Sequence, residues 1–153
     1  MAKFVFRMQS LLSVKDKIET QRRMEYGRAL AKLEAEKQKL KNLEDEKTET
    51  IRDFSQKVKA SITPDVFALY NTYLEVLKNR IIEQIIQVQK AEKEAEEKWL
   101  ILIEAMKEKK MLEKLKEKDL EEFKDEEKRI DQRLVDAIVS YKYANETETV
   151  DVE

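Results

Sequence analysis

Carboxylates and amines are the only side chains abundant enough to suggest chemistry in this chain of 153 residues, with 33 Asp+Glu and 31 Lys+Arg. Paired carboxylates can act as acid and base, and a desolvated lysine can act as a nucleophile, but both need a concave, water-poor pocket to shift their pKa values. Histidine and cysteine are absent. Ser–His and Cys–His nucleophilic pairs are therefore excluded, as are zinc sites built on nitrogen and sulfur. No glycine-rich phosphate loop exists, because the chain has one glycine, Gly27. Runs such as Lys90-Ala91-Glu92-Lys93-Glu94-Ala95-Glu96-Glu97-Lys98 read as a solvated helix face with i,i+4 pairs. No cofactor is implied, and function must lie in surfaces rather than in catalysis.

Three surfaces carry more apolar residues than one buried stripe needs. The first is the amino-terminal cluster Phe4, Phe6, Met8, Leu11 and Leu12, in which Phe6 and Leu12 lie off the Phe4/Leu11 row. The second is Ile130, Leu134, Ala137, Ile138 and Tyr141, at steps of three and four. The third follows the only proline and comprises Tyr70, Tyr73, Leu74, Val76 and Leu77. Trp99-Leu100-Ile101-Leu102-Ile103 is the longest apolar run, and five consecutive helical residues must point partly outward.

The elements that position these surfaces are two helices. Charged residues are 42% of the chain and aromatics 7%, the profile of a coiled coil. Pro64 is tolerated at the first position of a helix, where its missing N–H would be unpaired anyway, and the Thr63 hydroxyl can cap that start. The reading is an all-α antiparallel two-helix coiled-coil hairpin with a longer second helix. Its single domain is expected over 1–143, with a helix over 4–60, a turn at 61–64 and a helix over 64–143. A disordered acidic tail is expected over 144–153.

The second arm repeats at sevens as Phe67, Leu74, Ile81, Val88, Ala95, Leu102, with a companion row Tyr70, Leu77, Gln84, Ala91, Lys98, Ala105. Gln84, Lys98, Lys109 and Lys116 fall in these rows as they continue, either snorkelling out of a thin seam, or fixing its register or keeping the arm soft enough to rearrange. The first arm has the frame Phe4, Leu11, Ile18, then Tyr26, Leu33, Leu40, Phe54. The frames differ by one residue, which predicts a slip near Arg22–Tyr26.

Folding the arms at Pro64 sets Phe4 against Phe123, Leu11 against Leu115, Leu40 against Val88, and Phe54 against Leu74. Gly27 falls opposite Trp99 and Leu100, either making room for the tryptophan or standing exposed. The arms span roughly 85 and 120 Å at the helical rise, so about twenty residues beyond Lys124 overhang without a partner in the hairpin. The arms also carry opposite charge. Residues 1–60 hold 15 Lys+Arg and 10 Asp+Glu, residues 61–153 hold 16 and 23. No block is basic enough to indicate nucleic acid, and no run is long enough for a membrane span.

The opening Phe4-Val5-Phe6-Arg7-Met8-Gln9-Ser10-Leu11-Leu12 resembles the F-x-F-R-Φ-Q-x-Φ-L start of the flagellar export protein FliJ family. The segment Tyr70-x-x-Tyr73-Leu74 and the Glu/Lys-rich carboxy-terminal helix agree with it, although Gln132 stands where an acidic residue is expected. The resemblance implies a non-enzymatic, stalk-like coiled coil similar to the gamma subunit of rotary ATP synthases. Its implied partners are the flagellar export ATPase hexamer, the cytoplasmic part of an export-gate membrane protein, and export chaperones.

By the same resemblance, Phe4, Phe6, Arg7, Leu11, Leu12, Ile130, Arg133, Leu134 and Ile138 bind the ATPase ring, and Tyr70, Tyr73 and Val76 bind the gate. Location is cytoplasmic, peripheral at the membrane, and the free chain is a monomer. The rival reading is a generic coiled-coil spacer or self-associating scaffold, which predicts dimers and no effect on an ATPase.

Overall fold

In a computed structural model that describes residues 2–150, the chain is all-α. Helix α1 runs Gln9–Ala60 and helix α2 runs Pro64–Val150. The two lie antiparallel as a hairpin, and the described residues divide into two compact units. One comprises residues 17–106, the other residues 2–16 with 107–150. No helix among the described residues is long and apolar enough to cross a membrane.

The turn lies within the expected 61–64, and α2 begins at Pro64 as expected. Ser61, Ile62 and Thr63 form it, and Pro64 already belongs to α2. The Ser61 N–H donates to the Lys57 carbonyl at 3.0 Å, closing α1, and the Phe67 N–H donates to the Thr63 carbonyl at 3.0 Å, opening α2. Ser61 reverses the chain with φ of 118°, a region that favours glycine because a Cβ crowds the backbone there. Ser61→Gly is expected to stabilise the hairpin by about 1 kcal/mol, since glycine's extra freedom when unfolded offsets part of the relieved strain. Its midpoint in thermal unfolding by circular dichroism should rise; an unchanged or lower value would show that the turn is unstrained.

The unit of residues 17–106 has a narrow core of small side chains. Ala29, Leu33, Val88, Ala91 and Ala95 are buried together, and Leu40 packs against them. Alanines at these rows let the two helices approach closely. Buried or half-buried positions on α2 fall on the expected rows, Leu74, Ile81, Val88, Ala95, Leu102 and Leu77, Gln84, Ala91, Lys98, Ala105. On α1 they recur at unbroken steps of three and four: Met8, Leu12, Lys15, Glu19, Arg22, Tyr26, Ala29, Leu33, Glu36, Leu40. The expected slip near Arg22–Tyr26 is absent. Leu12 rather than Leu11 holds the row, and the polar residues Lys15, Glu19 and Arg22 hid its continuity.

Gly27 is exposed, and a Cβ built there meets nothing within 4 Å. The idea that it makes room for Trp99 is therefore overturned. Trp99 instead stacks on Tyr26, with ring centroids 5.2 Å apart. Gly27→Ala should stabilise α1 by roughly 1 kcal/mol through reduced backbone entropy alone. A fall in thermal stability would reveal a constraint at this site that free space does not show.

Both outer boundaries also differ from expectation. Helix α1 starts at Gln9 rather than residue 4. Aromatic and β-branched residues in Phe4-Val5-Phe6 are weak helix formers, and the Gln9 N–H closes a turn on the Phe6 carbonyl at 3.2 Å. Helix α2 continues past 143 to Val150, so residues 144–150 of the expected disordered tail are helical. No breaker interrupts them, and the Thr147 hydroxyl folds back on the Tyr143 carbonyl at 2.9 Å. Residues 151–153 of that tail lie outside the described residues.

Candidate interaction surfaces

The amino-terminal surface begins with an extended segment that lies along α2. The Phe4 ring meets Phe123 at 5.5 Å, as the folding at Pro64 predicts. Phe6 is 5% exposed and Leu12 8%, whereas Leu11 is 44% and Val5 77% exposed. Phe6 and Leu12 look surplus in the sequence because they miss the Phe4/Leu11 row. That row does not apply, because residues 2–6 are not helical and the α1 seam passes through Leu12. Both are therefore hairpin core. Lys3, Phe4, Val5 and Arg7 line one side of an open groove of about 580 Å³, and Asp119, Glu122 and Phe123 line the other. Arg7 is exposed there.

Polar seam residues hold this pairing in register. Lys109 bonds Asp16 at 2.7 Å, Lys15 bonds Glu108 at 2.7 Å, and Lys116 donates to the Gln9 amide oxygen at 2.8 Å. In the other unit, the Gln84 amide donates to both the Glu36 carbonyl (2.9 Å) and its carboxylate (2.5 Å). That donation holds the Glu36 carboxyl below its ordinary pKa. Of the two readings of seam Gln84, Lys109 and Lys116, the register-fixing one matches these contacts.

The chain start comes close to the second surface. Ala2 lines a hollow of about 360 Å³ with Glu127, Ile130 and Asp131. Beyond it, residues 128–149 are all exposed. Leu120, Phe123, Glu127, Ile130, Leu134, Ala137 and Tyr141 follow at steps of three and four, so the α2 seam runs on in phase after α1 has ended. Ile130, Leu134, Ile138 and Tyr141 are 48–68% exposed. Arg133 is exposed beside them. Val135, Val139 and Tyr143 are exposed on another side of the same helix, a second apolar strip that the sequence reading did not single out.

The third surface lies in the unit of residues 17–106. Phe54 packs on Phe67 with ring centroids 5.3 Å apart and on Tyr70 at 5.1 Å. The Lys57 ammonium sits over the Tyr70 ring, 5.2 Å from its centroid, and its side-chain hydrogen bond to Tyr70 raises the Lys57 pKa. The Tyr73 hydroxyl donates to Glu46, and holding the phenol's proton raises its pKa. An open groove of about 520 Å³ is lined by Lys57, Val66, Leu69, Tyr70 and Tyr73. Val76 is exposed near it. Both tyrosines are thus anchored to α1 partners, and Leu69 offers the freest apolar surface.

This geometry agrees with comparisons to known proteins. The family described as Flagellar FliJ protein matches residues 4–148. No curated protein matches the chain in sequence. Among solved structures, a YscO homolog, CT670, from Chlamydia trachomatis superimposes with a TM-score of 0.57 at 21% identity, covering 95% of this chain and 99% of that one. The likeness shows that the two share a fold. The match over residues 4–148 spans both helices and both units, and on it the chain belongs to the flagellar FliJ protein family, a family of non-catalytic components of type III protein export.

Proposed function

We propose that this chain is a cytoplasmic stalk-like element that binds the flagellar export ATPase hexamer and activates it. The observation that carries this reading is the α2 seam continuing in phase from Ile130 to Tyr141 with its apolar side chains exposed. An apolar stripe in water is stabilised by whatever covers it. Subunits of a ring in different nucleotide states would meet different parts of an asymmetric helix. Only such unequal contacts can shift their equilibrium. No residue of the chain need react.

In this reading Phe4, Arg7, Leu11, Ile130, Arg133, Leu134 and Ile138 touch the ring, while Phe6 and Leu12 support them from the core. Tyr70, Tyr73 and Val76 form the export-gate contact, together with Leu69. Export chaperones are further partners, and the gate contact makes the location peripheral at the membrane. Co-purification with the export ATPase of the same organism tests the proposal, with ATPase rate as the second readout. Removing residues from Lys124 onward should abolish both capture and activation while the remaining hairpin keeps its helicity. Full activation by the shortened chain would sink the stalk reading.

A further inference from the structure

The two units hold their seams by different means. In the unit of residues 17–106 the α2 seam is buried at Leu77, Val88, Ala91, Ala95, Leu102 and Ala105. In the other unit it is half-buried at Leu112, Leu115, Leu120 and Phe123, and none of residues 107–127 is fully buried. Charged groups hold it instead: Lys15 on Glu108 and Lys109 on Asp16, both at 2.7 Å, with Lys116 on the Gln9 amide oxygen. The carboxylates of the two ion pairs are 42% and 58% exposed, so water and salt screen them. The start of α1 adds little. Met8 stands where Ser, Thr, Asp or Asn would cap the helix, and the first turn holds no acidic residue. The apolar anchors are Phe6 and Leu12, both buried, and Phe4 against Phe123.

We infer that this pairing is a clasp, in which residues 2–16 leave α2 in one cooperative step while residues 17–106 stay paired. Local opening is easiest where buried apolar contact is scarce, and along α2 full burial ends at Ala105. Opening uncovers Leu112, Leu115, Leu120 and Phe123. The last two stand in phase with Ile130, Leu134 and Tyr141 on the same helix, so the exposed stripe grows from residues 130–141 to residues 112–141. The closed clasp is thus an internal cover, and its equilibrium sets how much apolar helix the chain presents. Salt shifts that equilibrium toward the open form, because it screens the ion pairs and leaves the apolar seam of residues 17–106 in place. What the clasp does to a ring rests on the reading proposed above. The opening itself does not, and it is measured in the free chain with no ATPase present.

Leu12 and Leu33 make a matched pair, both on α1 and 8% and 9% exposed, in a chain with no native cysteine. Leu12→Cys should react with a maleimide about tenfold faster than Leu33→Cys at equal helicity. Raising potassium chloride from about 50 mM to about 1 M should speed Leu12→Cys roughly threefold and leave Leu33→Cys within about twofold. Hydrogen exchange on the unmodified chain reads the same opening without a substitution. The amides of residues 12–16 should share one protection factor, roughly a hundredfold below that of residues 29–40. Equal labelling of the two thiols would overturn the inference, as would a Leu12→Cys rate that salt leaves unchanged. Protection that rises step by step from residue 12 to residue 16 would show a fraying helix end in place of a clasp and overturn it too.

Discussion

Leu77→Ala is expected to lower the stability of the hairpin by about 3 kcal/mol, as much as any single truncation among the described residues. Leu77 is 0% exposed, the only large side chain among the described residues that is fully buried. The seam around it is thin. Its neighbours along the α2 rows, Leu74, Ile81 and Gln84, are only half-buried. A core with few layers cannot collapse onto a void from several sides, so the cavity term adds to the lost transfer energy. Leu134→Ala is the matched control, because Leu134 is 58% exposed and loses almost nothing on truncation. Thermal or denaturant unfolding should separate the two by about 10 °C in midpoint for a chain of this length. Near-equal midpoints would mean that the small-residue core near Ala91 carries the hairpin alone.

Much of the hairpin was legible in the sequence because its signals are periodic. The α2 rows could be counted by sevens, and Pro64 marked the only break between two helices. The pairing of Phe4 with Phe123 followed from arithmetic about that break. The α1 frame was harder, because Lys15, Glu19 and Arg22 occupy seam positions and an apolar count steps over them. Their aliphatic stems line the seam while their charges find Glu108, Arg23 and Glu25. The amino-terminal segment is harder to read for a different reason: its residues 2–6 are not helical, so helical rows make buried Phe6 look like surplus surface.

The surface assignments divide in the same way. Nothing in composition separates Phe6, which supports the hairpin, from Val5, which faces water; only the backbone conformation does. Likewise Tyr73 looks like a free aromatic in the sequence, yet its hydroxyl is held by Glu46 across the hairpin. The carboxy-terminal stripe was the clearest of the three, because its three- and four-residue steps persist along α2 through residues that are all exposed. The helix there extends further than its acidic composition suggested, so the stripe is carried on regular structure to Val150.

Charge placed on that stripe should separate binding from folding. Leu134→Asp with Ile138→Asp is expected to cut activation of the export ATPase at least tenfold while moving the thermal midpoint by no more than about 3 °C. Both side chains are exposed and no α1 residue covers them, so folding loses only a small helix propensity. A ring surface that covers them would instead have to desolvate two carboxylates, at several kcal/mol in total. Phe6→Ala supplies the contrast. Phe6 is buried, so its loss should lower stability by about 3 kcal/mol, and any fall in activation should recover when the assay is cooled. A fall in activation caused by the double variant should persist at every temperature at which the hairpin is folded. If the two carboxylates leave activation intact, the unpartnered stripe is not the ring contact, and the amino-terminal groove around Arg7 becomes the surface to dissect.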